Sequence, residues 1–438
     1  MEFLKVLGAW ALVLGPSMVP GPSVVPGPVP SQSRILAVAG RSNATPSIAA
    51  DGEFVAVAWG ASLPGGATDV FLATSRDGGG TFGAPVRVND RDGDARVNGE
   101  QPPRVVLQHG EPPIVTVVWT TKGEKGTRIV SARSDNGGQS FTPAATVPGG
   151  DAAGNRGWEA AVVVRSAKAS AERQDVAVVW LDHRELARQE SMATAHHEHS
   201  GGGKPDGVAM AQKSKLYIAS LDGSIAPQAV TGGVCYCCKT ALVSGADGSI
   251  YAAWRHVYPG NIRDIAFTLS RDGGRTFAPP VRVSDDRWEL EGCPDDGPAI
   301  AIDARNRIHV VWPTLVTSAG RGAESAEKAL FYSTSADGRT FSSRQRIPAE
   351  GTPSHPQVAI GSDGLIAIAW DEAANSRRRA ALARVTLGPN DRPRFERQVV
   401  SGDESGLYPV VAMTPGATIT AWTAGSGPSS AIRVARWP

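Results

Sequence analysis

Neither sign of charge prevails in this chain. Forty-four Lys and Arg stand against 43 Asp and Glu, which excludes a strongly basic nucleic-acid binder or a polybasic membrane protein. Long apolar runs are scarce as well, and nothing beyond the N-terminus approaches the length of a transmembrane helix. Aromatic residues make up only 6% of the chain, and cysteines number four. What is plentiful is 50 Gly and 32 Pro, the mark of many short strands joined by turns rather than of long helices.

The N-terminus, MEFLKVLGAWALVLG, pairs a positive start at Lys5 with about ten apolar residues. That pattern fits a signal peptide over residues 1–15 and is too short to span a bilayer; a buried N-terminal element is the alternative. A Pro/Gly/Ser/Val tract follows at 16–32 and reads as an extended tether. Residues 33–438 are then expected to form one domain. The protein would be secreted or periplasmic, in an oxidising compartment that bears on the cysteines.

The chain repeats itself. Alternating small and β-branched residues ending in Trp recur as FVAVAW (Trp59), IVTVVW (Trp119), VAVVW (Trp180) and IYAAW (Trp254), then IHVVW (Trp312), IAIAW (Trp370) and TITAW (Trp422). Most intervals are 52 to 61 residues and one is longer, a spacing typical of stacked units. Each Trp strand (B) has a strand before it (A) and one after it (C), and a fourth (D) closes most units. The expected fold is all-β, a β-propeller of four-stranded antiparallel blades. The seventh unit stops without a D strand, and SRILAVAG at 33–40 has no unit of its own. Pairing the two gives seven blades closed by the N-terminal strand; six blades is the alternative.

The turns between C and D share one signature: SRDGGGTF at 75–82, SDNGGQSF at 134–141, SRDGGRTF at 270–277 and SADGRTF at 335–341. In such a hairpin, Asp77, Asn136, Asp272 and Asp337 brace backbone amides while the glycines take positive φ. These turns resemble the Asp-box, or BNR, repeat of the sialidase superfamily, and with the strand pattern the resemblance covers about residues 41–438. It implies a propeller that binds or processes glycans.

In a propeller, the D–A and B–C connections share one face, where ligands usually bind around the central channel. The connection entering blade 4, TGGVCYCCK, carries Cys235, Cys237 and Cys238. The connection entering blade 5 carries Cys293 and Asp296. The long B–C segment of blade 3 adds Asp182, Arg184 and a histidine cluster (His196, His197, His199), and that of blade 4 adds Arg255, His256 and Arg263. Two readings of the thiols stay open. One is two disulfides, with Cys237 or Cys238 pairing to Cys293. The other is a Cu or Zn site built from all four cysteines.

Active sialidases, on the resemblance, grip a substrate carboxylate with arginines and use a tyrosine nucleophile, a glutamate and an acid/base aspartate. The candidates in this chain are Arg184, Arg255, Arg263 and His256 for binding, with Tyr408, Glu159, Asp182 and Asp296 for chemistry. The family's N-terminal Arg-Ile-Pro is absent; only Arg34 and Ile35 stand there. The competing functions are an exo-sialidase-type glycosidase, a non-catalytic propeller that recognises a glycan, another small acidic ligand or a protein through the same face or is purely structural, and an exported metal-binding protein. No nucleic acid, membrane anchor or second subunit is expected.

Overall fold

The computed structural model describes residues 33–165, 174–186, 207–318, 325–388 and 391–438. The expected signal peptide and tether, and His196, His197 and His199, lie outside the described residues. Seven four-stranded antiparallel sheets are present. Blades 1 to 6 occupy residues 42–87, 104–146, 156–232, 241–282, 299–346 and 352–399. Blade 7 is built from Leu407–Thr414, Ala417–Ala424 and Ala431–Trp437, and its fourth strand is Arg34–Leu36. That strand pairs antiparallel to the last one, Arg34 opposite Val434 and Leu36 opposite Ile432. The chain ends thus close the ring, as the unpaired N-terminal segment predicted. A short helix, α1 (Gly207–Lys213), lies between the second and third strands of blade 3.

The core lies between blades. One buried cluster joins Val57 and Trp59 of blade 1 to Ile419 and Val434 of blade 7. Comparable clusters seat Trp119 between blades 1 and 2, Trp180 between 2 and 3, and Trp254 between 3 and 4. Trp312, Trp370 and Trp422 do the same between blades 4/5, 5/6 and 6/7. Seven interfaces for seven blades make a continuous hydrophobic ring. The B strands are buried on both faces, which is why they read as runs of Val, Ile and Ala.

An indole N–H buried at such an interface needs an acceptor. In blades 3, 4 and 6 it finds one two residues further along the chain. Trp180 donates to Asp182 Oδ2 (2.9 Å), Trp254 to His256 Nδ1 (3.4 Å) and Trp370 to Glu372 Oε2 (3.0 Å).

On the opposite face, the four signature turns share a hydrogen-bond scheme. Asp77 accepts from Ser75 Oγ (2.7 Å), Thr81 N (2.8 Å) and Thr81 Oγ1 (2.7 Å). Asp272 repeats this with Ser270 and Thr276, and Asp337 with Ser335 and Thr340. Asn136 keeps the Ser134 and Ser140 contacts. Gly78 and Gly79 take positive φ (65° and 85°), as do Gly137, Gly138, Gly273 and Gly274.

Candidate functional site

The A strands enter the ring from the D–A face, and four of them bulge at the same place. The register slips between Ala44 and Ser47, Gly157 and Ala160, Ser354 and Gln357, and Leu407 and Val410. Each slip holds a non-glycine residue in the left-handed region: Thr45 (56°), Trp158 (54°), His355 (57°) and Tyr408 (50°). Bulges re-aim side chains beside binding sites, and left-handed backbone outside glycine costs about 1 kcal/mol or more.

His355 and Tyr408, from blades 6 and 7, lie against each other with ring centroids 4.4 Å apart and planes tilted by 45°. The buried Asp371 holds both. Its Oδ2 lies 2.8 Å from His355 Nδ1 and accepts the Tyr408 backbone N–H at 2.8 Å, while Arg378 pairs with Oδ1. Burial alone would lower the His355 pKa, but the bond to Asp371 and the charges of Asp371, Asp296 and Glu100 carry it above the usual value. Burial and the neighbouring Asp371, Asp295 and Glu100 push the Tyr408 phenol up. Asp295, on the surface, is also raised, by desolvation and by Glu100.

Glu100 caps the channel. It belongs to the connection entering blade 2, yet its Oε2 accepts from the backbone N–H of Lys239 (3.0 Å, entering blade 4) and of Gly297 (2.8 Å, entering blade 5). Its neighbour Gly99 runs against Tyr408 so closely that a Cβ there would fall 2.0 Å from the ring. Beneath the cap lies a channel of about 220 Å³ lined by the A strands of all seven blades. Across the mouth, the half-buried Trp158 and Tyr236 flank His183, with ring centroids 5.8 and 6.4 Å from it.

The structure brings Tyr408 and Asp296 into one network. Asp296 Oδ1 accepts the His355 backbone N–H (2.9 Å), and Oδ2 pairs with Lys328 (2.6 Å). Glu159 lies apart from them, buried, bonded by Thr120 Oγ1 at 3.0 Å and pushed up to about 7 by burial. Asp182 is buried too and accepts from Trp180, Arg156 and both branches of Arg184. Arg184 also stacks on Tyr217, 4.0 Å from the ring centre. The Arg255 guanidinium, 1% exposed, donates only to protein: Nε and Nη2 to the Asp296 carbonyl, Nη2 to the Pro313 carbonyl, Nη1 to the Arg263 carbonyl. Arg263 donates to the Leu290 carbonyl, Asn261 Oδ1 and Cys235 Sγ. His256 accepts from Trp254, and burial with Arg282 pulls it down to about 4. His355, Asp371, Glu100 and Asp295 were not among the sequence candidates. The readable signal was the residue before proline at an A-strand start, as in Thr45-Pro46, His355-Pro356 and Tyr408-Pro409.

The cysteines meet on this rim. Cys237 and Cys293 form a disulfide joining the entries to blades 4 and 5. Cys235 and Cys238 are free thiols, so one bridge forms where two were open. Cys235 Sγ lies 3.6 Å from Cys237 Sγ and 3.8 Å from Cys238 Sγ, and Arg263 Nη1 donates to it at 3.1 Å. The bond from Cys238 and the charges of Arg263 and Arg255 outweigh burial and lower the Cys235 pKa.

No protein-family model matches the chain, and no curated protein matches it in sequence. Solved structures do resemble it. A protein of unknown function from Dyadobacter fermentans aligns with TM-score 0.51 and 13% identity, covering 94% of this chain and 99% of that one. The polysaccharide lyase Uly1 aligns with TM-score 0.50 and 10% identity, covering 89% of each. A Trypanosoma rangeli sialidase mutant displaying trans-sialidase activity aligns with TM-score 0.45 and 11% identity, over 94% of this chain and 60% of that one. At such identities the likeness of the first two is one of fold, and the chain is a seven-bladed β-propeller.

Proposed function

We propose that the channel mouth binds a carbohydrate and acts on it by proton transfer, in the glycosidase or polysaccharide-lyase class. One observation carries the reading. His355 and Tyr408 are held in left-handed backbone on matching bulges, with ring centroids 4.4 Å apart, and both are anchored by the buried Asp371. Strained, over-determined residues of this kind cluster where geometry serves chemistry. Imidazole and phenol are general acid–base groups, and the exposed Asp295 is a third. The half-buried rings of Trp158, Tyr236 and Tyr408 give a sugar apolar faces to stack on. The turns at Asp77, Asn136, Asp272 and Asp337 resemble the sialidase Asp-box, and a polysaccharide lyase shares the fold, which supports the same substrate class.

On this reading Tyr408, Asp295 and His355 are catalytic residues, and Asp371 and Asp296 position them. A ligand carboxylate would approach Arg378 and Lys328, whose side chains are partly exposed although each pairs with a buried aspartate, because Arg255 and Arg263 are fully buried. Export through residues 1–15 places the activity outside the cytoplasm, where a disulfide such as Cys237–Cys293 persists. The test is a panel of acidic and neutral polysaccharides, scored for binding and for released reducing or unsaturated ends. Tyr408→Phe and His355→Gln should each lower turnover about a hundredfold or more while binding changes far less. Failure to bind any carbohydrate, or full turnover in both variants, overturns the reading.

A further inference from the structure

The sulfur cluster carries a second site, independent of the proton-transfer set. Three sulfurs, those of Cys235, Cys237 and Cys238, lie within 4.8 Å of one another, all on buried residues. Two of their separations are 3.6 and 3.8 Å. Thiolates about 2.3 Å from a tetrahedral ion stand about 3.8 Å apart, so the sulfurs sit at the edge length of a thiolate cage. The disulfide shows that a fourth sulfur, Cys293, reaches the same spot from the next blade.

The frame around the sulfurs is rigid. The Cys235 backbone N–H donates to the Arg255 carbonyl at 2.8 Å, and Val234 bridges to His256, just past the second strand of blade 4. Arg263 aims a guanidinium N–H at Cys235 Sγ while its Nε is fixed by the Leu290 carbonyl. A cysteine that only filled the core would need no such donor. A thiolate bound to metal does, because N–H···S contacts orient the ligand and spread its charge. Arg255, buried alongside, supplies a second positive charge close to what would be an anionic cage.

We propose that Cys235, Cys237, Cys238 and Cys293 form a binding site for a thiophilic d10 cation, Zn(II) or Cu(I), exchanging with the Cys237–Cys293 disulfide. The exchange balances with a small thiol as reductant. Two thiols reduce the disulfide to two cysteines and become a disulfide themselves. The cation then binds the four cysteines as thiolates and releases their protons to solvent. In reverse, the small-molecule disulfide oxidises Cys237 and Cys293 back to their own disulfide and is reduced to two thiols, which removes two ligands and expels the ion. Soft sulfur donors select these two cations over the hard ions.

The test uses the whole chain, reduced with a small thiol, freed of metal and handled without oxygen. Titration with Co(II), as a spectroscopic substitute for Zn(II), should develop sulfur-to-metal charge-transfer and tetrahedral d–d bands that saturate at one ion per chain. Zn(II) and Cu(I) should both displace it. Cys235→Ser and Cys238→Ser should weaken binding at least tenfold, and Cys293→Ser should do so while leaving the thermal unfolding of the reduced protein unchanged. Reoxidation to the disulfide should release the ion. Four titratable thiols without tetrahedral Co(II) bands, or binding unaffected by Cys235→Ser and Cys238→Ser, overturn the proposal. Lost metal binding with carbohydrate turnover intact in Cys238→Ser separates this site from the proton-transfer reading.

Discussion

Single residues in this propeller are decided by what surrounds them, and Glu159 shows it most simply. Its carboxyl is fully buried, accepts one hydroxyl and is pushed by burial from its ordinary value of about 4.5 up to about 7. Because the folded value lies above the unfolded one, the folded state holds the proton more tightly. The stability this provides is complete below about pH 4.5 and is lost as pH rises through 7. Glu159→Gln, which carries no proton to lose, should leave stability at pH 4.5 unchanged and raise it at pH 8 by roughly 1 to 3 kcal/mol. Denaturant unfolding at the two pH values reads this directly; equal differences at both would contradict it. The same scale explains why the arginines were hard to read. A sequence shows that Arg255 and Arg263 lie near the rim, but the carbonyls of Asp296, Pro313 and Leu290 that claim them have no sequence signature. His355 and Asp371 are 16 residues apart, and their meeting depends on where the first strand of blade 6 crosses the second, which residue type alone does not reveal.

At the scale of the element, each of the four signature C–D turns hangs on one bracing side chain, Asp77, Asn136, Asp272 or Asp337. The Asp272 pKa is lowered to about 2 by the Thr276 hydroxyl, with Thr276 N and Ser270 Oγ adding to it. A depressed carboxylate contributes stability that is present above about pH 4 and lost as pH falls through 2. Asp272→Ala should therefore lower Tm by a few degrees at neutral pH, and the difference from the parent should shrink as pH falls from 4 toward 2. A gap that stays constant over that range would assign the effect to something other than the ionised brace. These turns were legible because Ser, Asp, Gly and Thr each fill a position that demands that residue type. The B strands were legible because burial on both faces leaves Val, Ile, Ala and one Trp. The A-strand bulges were not, since a slipped register breaks the alternation that announces a strand. Asp182 and His256 stand two residues after the Trp of their blade, where blade 6 places Glu372. There they accept an indole N–H, a recurring place in the blade that a reading by charge alone does not distinguish from a functional one.

At the scale of the molecule, the ring is closed by three residues whose contribution can be separated from the rest. Leu36 is 4% exposed and packs with Ile432, Val434, Ile419 and Val57, whereas Ile35 points outward at 59% exposure. Arg34 adds a bond from Nε to the Gly80 carbonyl (2.6 Å). The blade 7 to blade 1 interface nonetheless keeps Trp59, Ala61, Val410, Ile419 and Val434 when the strand is taken away. It also keeps the Asn43 bonds to Ser430, at 2.8 Å to the hydroxyl and 3.0 Å to the carbonyl. Closure by Arg34–Leu36 is thus reinforcement of an interface that exists without it. Leu36→Ala should cost about 2 to 5 kcal/mol, the range for a buried leucine, and Ile35→Ala almost nothing. A chain starting at residue 37 should still fold, with stability lower than Leu36→Ala by the strand's hydrogen bonds, about 1 kcal/mol more. It should also self-associate as concentration rises, because Ala431–Trp437 becomes an open sheet edge. Denaturant unfolding and light scattering on the three variants measure both effects. A truncated chain that does not fold would show the strand to be part of the nucleus of the ring. Unchanged stability and no association would show that blade 7 stands on three strands alone.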